Sequence, residues 1–360
     1  MASRERIQLS RGARVVLFVV WLGFCVGLAE GAARAGWRLS LGVSLRDPGQ
    51  ILYAYYPEMW HVFSVSPSRD DEFFDVLLLG GSVLDPHWGS IEQQLLEQLF
   101  LAGHRNVRVS NVGTPAHTTR DSLHKYRALS RHQFELVMLY HGINETRANN
   151  APPEVFREDY SHYAWYEALN ALAPYHGNAS LSLPYTFRYL GVRARHALRP
   201  DRYIVEHVPR EEWTRYGGDV RSAAAFEANL RAIIDEAAAR GERLVLSTFA
   251  YYVPEDYSQE RFDRRELDYV LHQTPLEIWG RPESVVAGID AHNEVVRRLA
   301  RDNDGVWFVD QATRMQGTPE NFNDAAHLTT AGSRRFVEHI LEVLPPTLFS
   351  EHVAGVRIVD

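Results

Sequence analysis

Three residues of this sequence have types and positions that suggest covalent chemistry, namely Ser82, His327 and Asp324. Ser82 follows the mostly apolar run from Phe74 to Leu79 and two glycines, and His327 stands three residues after Asp324. A serine hydroxyl is a poor nucleophile until a base removes its proton, and a histidine with a pKa near neutrality is a suitable base. An aspartate can accept the other imidazole N–H and fix the tautomer. These residue types therefore indicate acyl transfer at Ser82, with His327 as the base and Asp324 as its partner.

Acyl transfer also needs hydrogen-bond donors for the tetrahedral intermediate, and the sequence offers them at the ends of two further apolar runs. Gly113 follows the second run and Asn144 follows the third. The backbone N–H groups of Ser82 and Gly113 and the side-chain amide of Asn144 can form an oxyanion hole. Gly113 has no side chain, so its backbone can approach a substrate closely.

Three residues beside Asn144 are candidates for substrate binding, namely His141, Glu145 and Arg147. Arg147 is suited to an anionic group, whereas His141 can equally serve packing. Aromatic residues are frequent in the stretch 160–216, where they can line a sugar or acyl pocket or pack an insertion onto its domain: Tyr160, Tyr163, Trp165, Tyr166, Trp213 and Tyr216.

The elements that must position these residues alternate between short buried strands and helices. Apolar runs predict five strands, at 74–79, 107–112, 134–140, 243–249 and 306–310. Helical periodicity predicts helices at 90–101, 119–130, 222–240, 284–302 and from the final loop to about 344. This alternation predicts an α/β protein, a flavodoxin-like three-layer α/β/α sandwich with a five-stranded parallel sheet, whose carboxyl edge collects the candidate residues. Two stretches without this pattern, about 146–218 and 254–282, are expected to be insertions.

The N-terminus carries an apolar run from Val15 to Ala29, preceded by four arginines. One interpretation is an uncleaved single-pass anchor with the basic end in the cytoplasm, and the other is a signal segment that is removed on secretion. A buried N-terminal helix is a third possibility. Either main interpretation places the body of the protein outside the cytoplasm. The expected organisation is a cytoplasmic N-terminus (1–14), an anchor or signal segment (15–36), a juxtamembrane segment (37–72), a catalytic domain (73–345) and a C-terminal tail (346–360).

Composition limits the other classes of function. The formal net charge is -8, with no basic stripe interleaved with aromatics, which argues against a nucleic-acid partner. Cys25 is the one cysteine, so an intramolecular disulfide or a thiolate metal site is not possible. The sixteen histidines are scattered over different predicted elements, and we expect neither a metal nor a cofactor.

The four candidate blocks, taken in order, resemble those of the SGNH, or GDSL-type, lipase/esterase/acylhydrolase superfamily. The resemblance spans roughly residues 73–345 and is carried by Gly80-Gly81-Ser82-Val83-Leu84, Asn111-Val112-Gly113, Gly142-Ile143-Asn144-Glu145 and Asp324-Ala325-Ala326-His327-Leu328. Gly81 stands where the family often has aspartate, and Glu145 where aspartate is common. The resemblance implies Ser82 as nucleophile, His327 as base, Asp324 as its orienter, and Gly113 and Asn144 in the oxyanion hole. Membrane-anchored bacterial members are also familiar.

The expected function is a serine hydrolase that cleaves an ester through an acyl-serine intermediate. Its expected partners are the membrane, through the N-terminal helix, and O-acylated envelope or secreted polysaccharide. Three alternatives remain open at this point. An O-acyltransferase would use the same residues, a non-catalytic domain would bind glycan during envelope assembly, and a nucleotide-binding protein would use Gly80-Gly81-Ser82 as a phosphate loop.

Overall fold

A five-stranded parallel sheet is the centre of the computed structural model, which describes residues 10–173, 181–199, 202–204 and 208–349. The strands are Phe74–Gly80 (β1), Val107–Asn111 (β2), Leu136–Tyr140 (β3), Arg243–Ser247 (β4) and Val306–Val309 (β5). Their spatial order is β2-β1-β3-β4-β5, and each neighbouring pair is parallel. This is the doubly wound order of flavodoxin-like sheets, so the predicted fold class is confirmed.

Helices connect the strands and cover both faces of the sheet. Among the described residues, α-helices span Arg11–Leu41 (α1), Trp60–Val65 (α2), Ile91–Leu101 (α3), Thr119–Ala128 (α4), Ile143–Thr146 (α5), Ala164–Leu172 (α6), Leu183–Leu198 (α7), Ser222–Arg240 (α8), Gln259–Asp263 (α9), Pro282–Asp302 (α10), Gln311–Arg314 (α11) and Thr330–Val343 (α12). Helix α3 packs against α12, and α4 and α10 both pack against α8. Every residue of β1 is buried, which explains its almost unbroken apolar sequence.

The chain forms two compact units. One comprises the ranges 1–55 and 168–198, and the other the ranges 56–167 and 199–360. The sheet and all the residues expected to be catalytic belong to the second unit. Residues 168–198, which belong to the first expected insertion, therefore cluster with the N-terminal segment.

Helix α1 dominates the first unit, and it is long and apolar enough to cross a membrane. Its apolar residues from Val15 to Leu28 are largely exposed, as expected of a helix that is not part of a water-excluded core. Two of its charged residues beyond this run, Glu30 and Arg34, form a pair: Glu30 accepts hydrogen bonds from Arg34 Nε at 2.7 Å and from the backbone N–H of Ser182 at 2.7 Å. The helix suits a membrane anchor or a signal segment.

In the second unit, a buried ion pair fixes β1 against β2. Asp75 and Arg108 are register partners, and Arg108 Nε and Nη2 donate to the two Asp75 carboxylate oxygens at 2.5 and 2.6 Å. Asp75 is fully buried and the Arg108 side chain is 21% accessible, so the pair is less open to solvent than a surface ion pair.

We predict that Asp75→Ala lowers the free energy of unfolding by about 1.5–3 kcal/mol, because it removes the charged acceptor of two Arg108 hydrogen bonds and leaves that guanidinium only Asp71, at 2.8 Å. Urea unfolding of the full chain measures this as a lower midpoint at unchanged slope. The matched control is Glu260→Ala, which breaks an exposed pair with Arg264 whose side chains are 62% and 69% accessible and should cost less than about 1 kcal/mol. Equal effects of the two substitutions would contradict the prediction.

Candidate active site

Ser82 lies in the turn that follows β1, at the carboxyl edge of the sheet. The turn closes through backbone hydrogen bonds from Leu84 N to Gly81 O and from Asp85 N to Ser82 O, both 3.1 Å. Ser82 is largely buried, yet its hydroxyl has a hydrogen-bond partner 245 positions away in the chain. That partner is His327 Nε2, at 2.8 Å from Ser82 Oγ.

Asp324 holds the other side of the same imidazole ring. His327 Nδ1 lies 2.8 Å from Asp324 Oδ2 and 3.0 Å from Oδ1, while the backbone N–H of His327 donates to Oδ1 at 2.8 Å. A carboxylate accepts hydrogen bonds, so Nδ1 carries the hydrogen and Nε2 is left to accept from the serine hydroxyl. Asp324 is fully buried and His327 nearly so. The structure thus brings together the three residues that the sequence predicted as a triad.

Neighbouring segments brace the loop that carries this histidine. Asn323 N donates to His327 O at 2.7 Å, and Asn323 O accepts from the backbone N–H groups of Leu271 at 3.1 Å and His272 at 2.9 Å. The Trp88 ring packs on the imidazole with 4.7 Å between ring centroids. These contacts restrict the imidazole to the orientation that meets Ser82.

The Asn144 amide is held in one orientation next to the serine turn. Its Nδ2 donates to His117 O at 2.9 Å, and its Oδ1 accepts from Trp279 Nε1 at 2.9 Å. An indole N–H only donates, so Trp279 identifies which amide atom is the oxygen. A Cβ added at Gly81 would lie 2.6 Å from Asn144 Nδ2, which places the amide nitrogen against the residue before Ser82. One Asn144 N–H remains available beside the nucleophile.

The backbone N–H of Gly113, which the sequence suggested as an oxyanion donor, already has a hydrogen-bond acceptor. Its N–H donates to Asn111 Oδ1 at 2.9 Å, so that hydrogen is already engaged. The N–H of Ser82 has no acceptor among the described residues. The donors with a hydrogen to offer are therefore Ser82 and Asn144, and the oxyanion role of Gly113 stays a prediction.

Of the three residues expected to bind substrate, the structure places one on a cavity. His141 is buried, with Nε2 at 2.7 Å from Ser122 Oγ, and burial lowers the pKa of His141 to about 3. Glu145 is fully buried and accepts a hydrogen bond from Thr119 N at 2.5 Å. Burial raises the pKa of Glu145 to about 8, so this carboxyl is protonated at neutral pH. Only Arg147 lines the cavity, and the binding roles of all three residues stay predictions.

That cavity measures about 140 Å³ and shares Asn144 with the serine site. Its walls come from the loop after β2, from the start of α5, from the 3₁₀ turn Arg147–Asn149 that follows it, and from the aromatic segment before and within α6. The lining residues are Pro115, Ala116, His117, Thr118, Asn144, Arg147, Tyr163, Trp165 and Tyr166. Among the described residues, no group of three or more His, Cys, Asp or Glu side chains is arranged to hold a metal ion.

Sequence reasoning missed Trp88, Trp279 and His117 as parts of the site. Trp88 lies beyond the serine turn, and Trp279 lies in the second expected insertion, where no motif marks it. His117 contributes its backbone carbonyl to Asn144, a role that carries no side-chain signal. The sequence indicated other parts of the cavity wall through Asn144, Arg147 and the aromatic richness of 160–216.

Residues 79–335 match the model of the GDSL-like lipase/acylhydrolase family. No curated protein matches the chain in sequence. Among solved structures, it is similar to a GDSL-like lipase from Bacteroides thetaiotaomicron (12% identity, 80% of this chain and 95% of the other covered, TM-score 0.44). It is also similar to the acetylxylan esterase Axe2 from Geobacillus stearothermophilus (14% identity, 76% and 95% covered, TM-score 0.40).

The raised pKa of Glu145 gives a test of the site's electrostatics. The folded-state pKa, about 8, exceeds the ordinary value of 4.5, so the folded chain binds this proton more tightly than the unfolded chain does. Stability from this group is complete at acidic pH and is lost as pH rises from about 4.5 to about 8, at roughly 1.4 kcal/mol per pH unit.

We therefore predict that Glu145→Gln, which cannot ionise, gains stability relative to the natural chain as pH rises. Between pH 5.5 and pH 7.5 the difference in unfolding free energy should move in favour of the variant by on the order of 2 kcal/mol. Urea unfolding of both proteins at the two pH values measures it. A difference that is the same at both pH values would contradict the prediction.

Proposed function

We propose that this chain hydrolyses esters through an acyl-serine intermediate on Ser82. The chain belongs to the GDSL-like lipase/acylhydrolase family and is an esterase or acylhydrolase. The observation that carries the proposal is the continuous hydrogen-bonded series from Ser82 Oγ to His327 Nε2 and from His327 Nδ1 to Asp324. This arrangement supports the proposal because the nucleophile, the base and its orienter would need little reorganisation to act in these roles.

In the acylation step, Ser82 Oγ attacks the ester carbonyl carbon and its proton passes to His327 Nε2. The carbonyl π pair moves to oxygen, and the resulting oxyanion accepts hydrogen bonds from the Ser82 N–H and the remaining Asn144 N–H. The intermediate collapses when the carbon–oxygen bond to the alcohol breaks and His327 returns its proton to the leaving alcohol oxygen. Asp324 stabilises the imidazolium in between and is not itself protonated.

In the deacylation step, water takes the place of the alcohol. It loses a proton to His327 Nε2 as it attacks the acyl carbon, and the second tetrahedral intermediate uses the same donors. The bond to Ser82 Oγ then breaks, His327 returns the proton to that oxygen, and the carboxylic acid leaves. The enzyme is regenerated with no net change in its protons.

We propose O-acyl groups of carbohydrates as the natural substrates, on the outer side of the membrane. The support is the cavity beside Asn144, whose aromatic walls suit a sugar or a short acyl group. Helix α1 would tether the catalytic domain, 73–345, with the arginine-rich end in the cytoplasm. Both points go beyond the family assignment.

We predict that Ser82→Ala abolishes labelling by a fluorophosphonate probe and lowers the rate of p-nitrophenyl acetate hydrolysis by about 10⁴-fold or more. The matched control is Ser222→Ala. Ser222 also bonds a histidine, His292 Nε2 at 2.8 Å, but both residues are fully buried, and the other ring nitrogen lies 2.9 Å from the backbone oxygen of Gly142 rather than against a carboxylate. The control should label as the natural chain does. Labelling that survives Ser82→Ala would refute the assignment of the nucleophile.

We further predict that Gly81→Ala lowers kcat for the same ester by about 10²–10³-fold, the typical loss for one oxyanion donor. The new methyl group would lie 2.6 Å from Asn144 Nδ2, and the amide cannot retreat without breaking its bonds to His117 and Trp279. Gly191→Ala is the control, because a Cβ there meets nothing within 4 Å. Unchanged kcat in a folded Gly81→Ala protein would exclude Asn144 as a donor.

A further inference from the structure

We infer that the cavity beside Asn144 binds a carboxylate group carried by the ester substrate, which makes acylated acidic sugars the preferred substrate class. The inference rests on the proposed function, and it concerns a part of the site that takes no role in bond breaking. The residue that would bind the carboxylate is Arg147.

The cavity is placed to hold a group covalently attached to the reacting ester. Asn144 belongs to its wall, and the same side chain lies against Gly81, the residue before the nucleophile. A volume of about 140 Å³ is too small for a drug-sized ligand, for which pockets of about 300–1,000 Å³ are usual. It fits one substituent or one sugar-sized part of a longer chain, with the remainder outside.

Arg147 brings a buried positive charge to this wall. Its side chain is about 6% exposed, its Nε donates to Ile278 O at 3.2 Å, and its guanidinium lies 5.4 Å from the Trp279 ring centroid. Among the described residues, no carboxylate lies within 4 Å of it and no acceptor contacts its terminal nitrogens. Burial lowers the pKa of Arg147 to about 10, so it is still a cation at neutral pH.

The acidic side chain closest in sequence does not cancel this charge. Glu145 is protonated at neutral pH, because burial raises its pKa to about 8. A desolvated guanidinium without a counter-ion is unfavourable, and a carboxylate that enters the cavity would supply charge and two parallel hydrogen bonds. Within the described part of the chain, Arg147 is therefore a buried cation without a carboxylate partner.

The other walls are rigid and aromatic. Tyr166 OH and Trp165 Nε1 donate to the two oxygens of Asp121 at 2.5 and 3.1 Å, which holds both rings in place. Asp121 is fully buried behind these rings and is not part of the cavity wall, and its oxygens also accept from Tyr56 OH and Thr118 N. Fixed aromatic faces next to a cation suit a sugar ring that carries a carboxylate.

The carboxylate has two possible sources, the sugar alcohol or the acyl group. The test uses the full chain and two substrate pairs, in each of which one member carries the carboxylate and the other carries an uncharged CH2OH or CH3 group in its place. The first pair is the acetylated methyl glycosides of glucuronic acid and glucose. The second is monoethyl succinate and ethyl butyrate, because an aryl monoester of succinate would break down by attack of its own carboxylate. We expect kcat/KM to favour the charged member of one pair by about 10- to 100-fold, as for hydrogen bonds to a charged group.

Four proteins are compared: the natural chain, Arg147→Met, Arg147→Lys and Arg264→Met. Met keeps the apolar stem without the charge, Lys keeps the charge without the planar fork, and Arg264 is a matched control whose side chain is 62% exposed. The preference should disappear in Arg147→Met, return in part in Arg147→Lys and persist in Arg264→Met. The readout is the ratio of the two kcat/KM values within a pair. A substitution that disturbed Asn144 through Trp279 would slow both substrates of the pair equally and leave this ratio unchanged.

A preference that Arg147→Met removes supports the inference, and the pair that shows it identifies the source of the carboxylate. Equal kcat/KM within both pairs, or a preference that survives Arg147→Met, overturns it.

Calorimetry on Ser82→Ala separates this result from the mechanism. Binding of glucuronate or succinate that the added Arg147→Met substitution abolishes supports the cavity even where the natural chain hydrolyses no ester. Ester hydrolysis with neither such binding nor a preference within a pair would leave the proposed function intact and refute the carboxylate site.

Discussion

The hydrogen bond of 2.8 Å between His327 Nε2 and Ser82 Oγ joins positions 245 residues apart, and the rest of the site is arranged around it. It forms because all five strands run parallel, so that the turn after β1 and the loop between β5 and α12 open on the same edge. The sheet is buried and close-packed, and the two loops are therefore held at a fixed separation. A base within hydrogen-bond distance of the serine hydroxyl can remove its proton as the oxygen attacks, which activates an otherwise weak nucleophile.

The segment between β4 and α10 supports this bond from two directions. Leu271 and His272 bind the carbonyl of Asn323, which in turn fixes the loop of His327. Trp279 binds Asn144 Oδ1 and so points the amide nitrogen toward Gly81. Buried polar networks that are satisfied in this way specify geometry as much as they add stability. A stretch without a regular pattern in the sequence is thus part of the site's framework.

Much of the fold and the triad could be predicted from the sequence, because both leave local signals. The apolar runs that became β1 and β3 are continuous since those strands are buried on both faces. Ser82 follows its strand directly, and Asp324 and His327 are three residues apart. Arg147 was also found from the sequence, as a cation near Asn144. The contacts of Trp88, Trp279 and His117 could not be found, because they join elements with no fixed spacing along the chain.

What the sequence by itself determined is therefore the alternation of elements and the residue types at the ends of strands, since both follow from local burial and backbone chemistry. Only the tertiary structure decided which hydrogen-bond donors remain unengaged and which ionisable side chains are charged at neutral pH. The Gly113 N–H is engaged by Asn111, while one Asn144 N–H is left beside Ser82. Glu145 is protonated and Arg147 remains charged because of how deeply each is buried and what surrounds it. Hydrogen-bond partners and burial are properties of assembled elements, and no single stretch of the chain contains them.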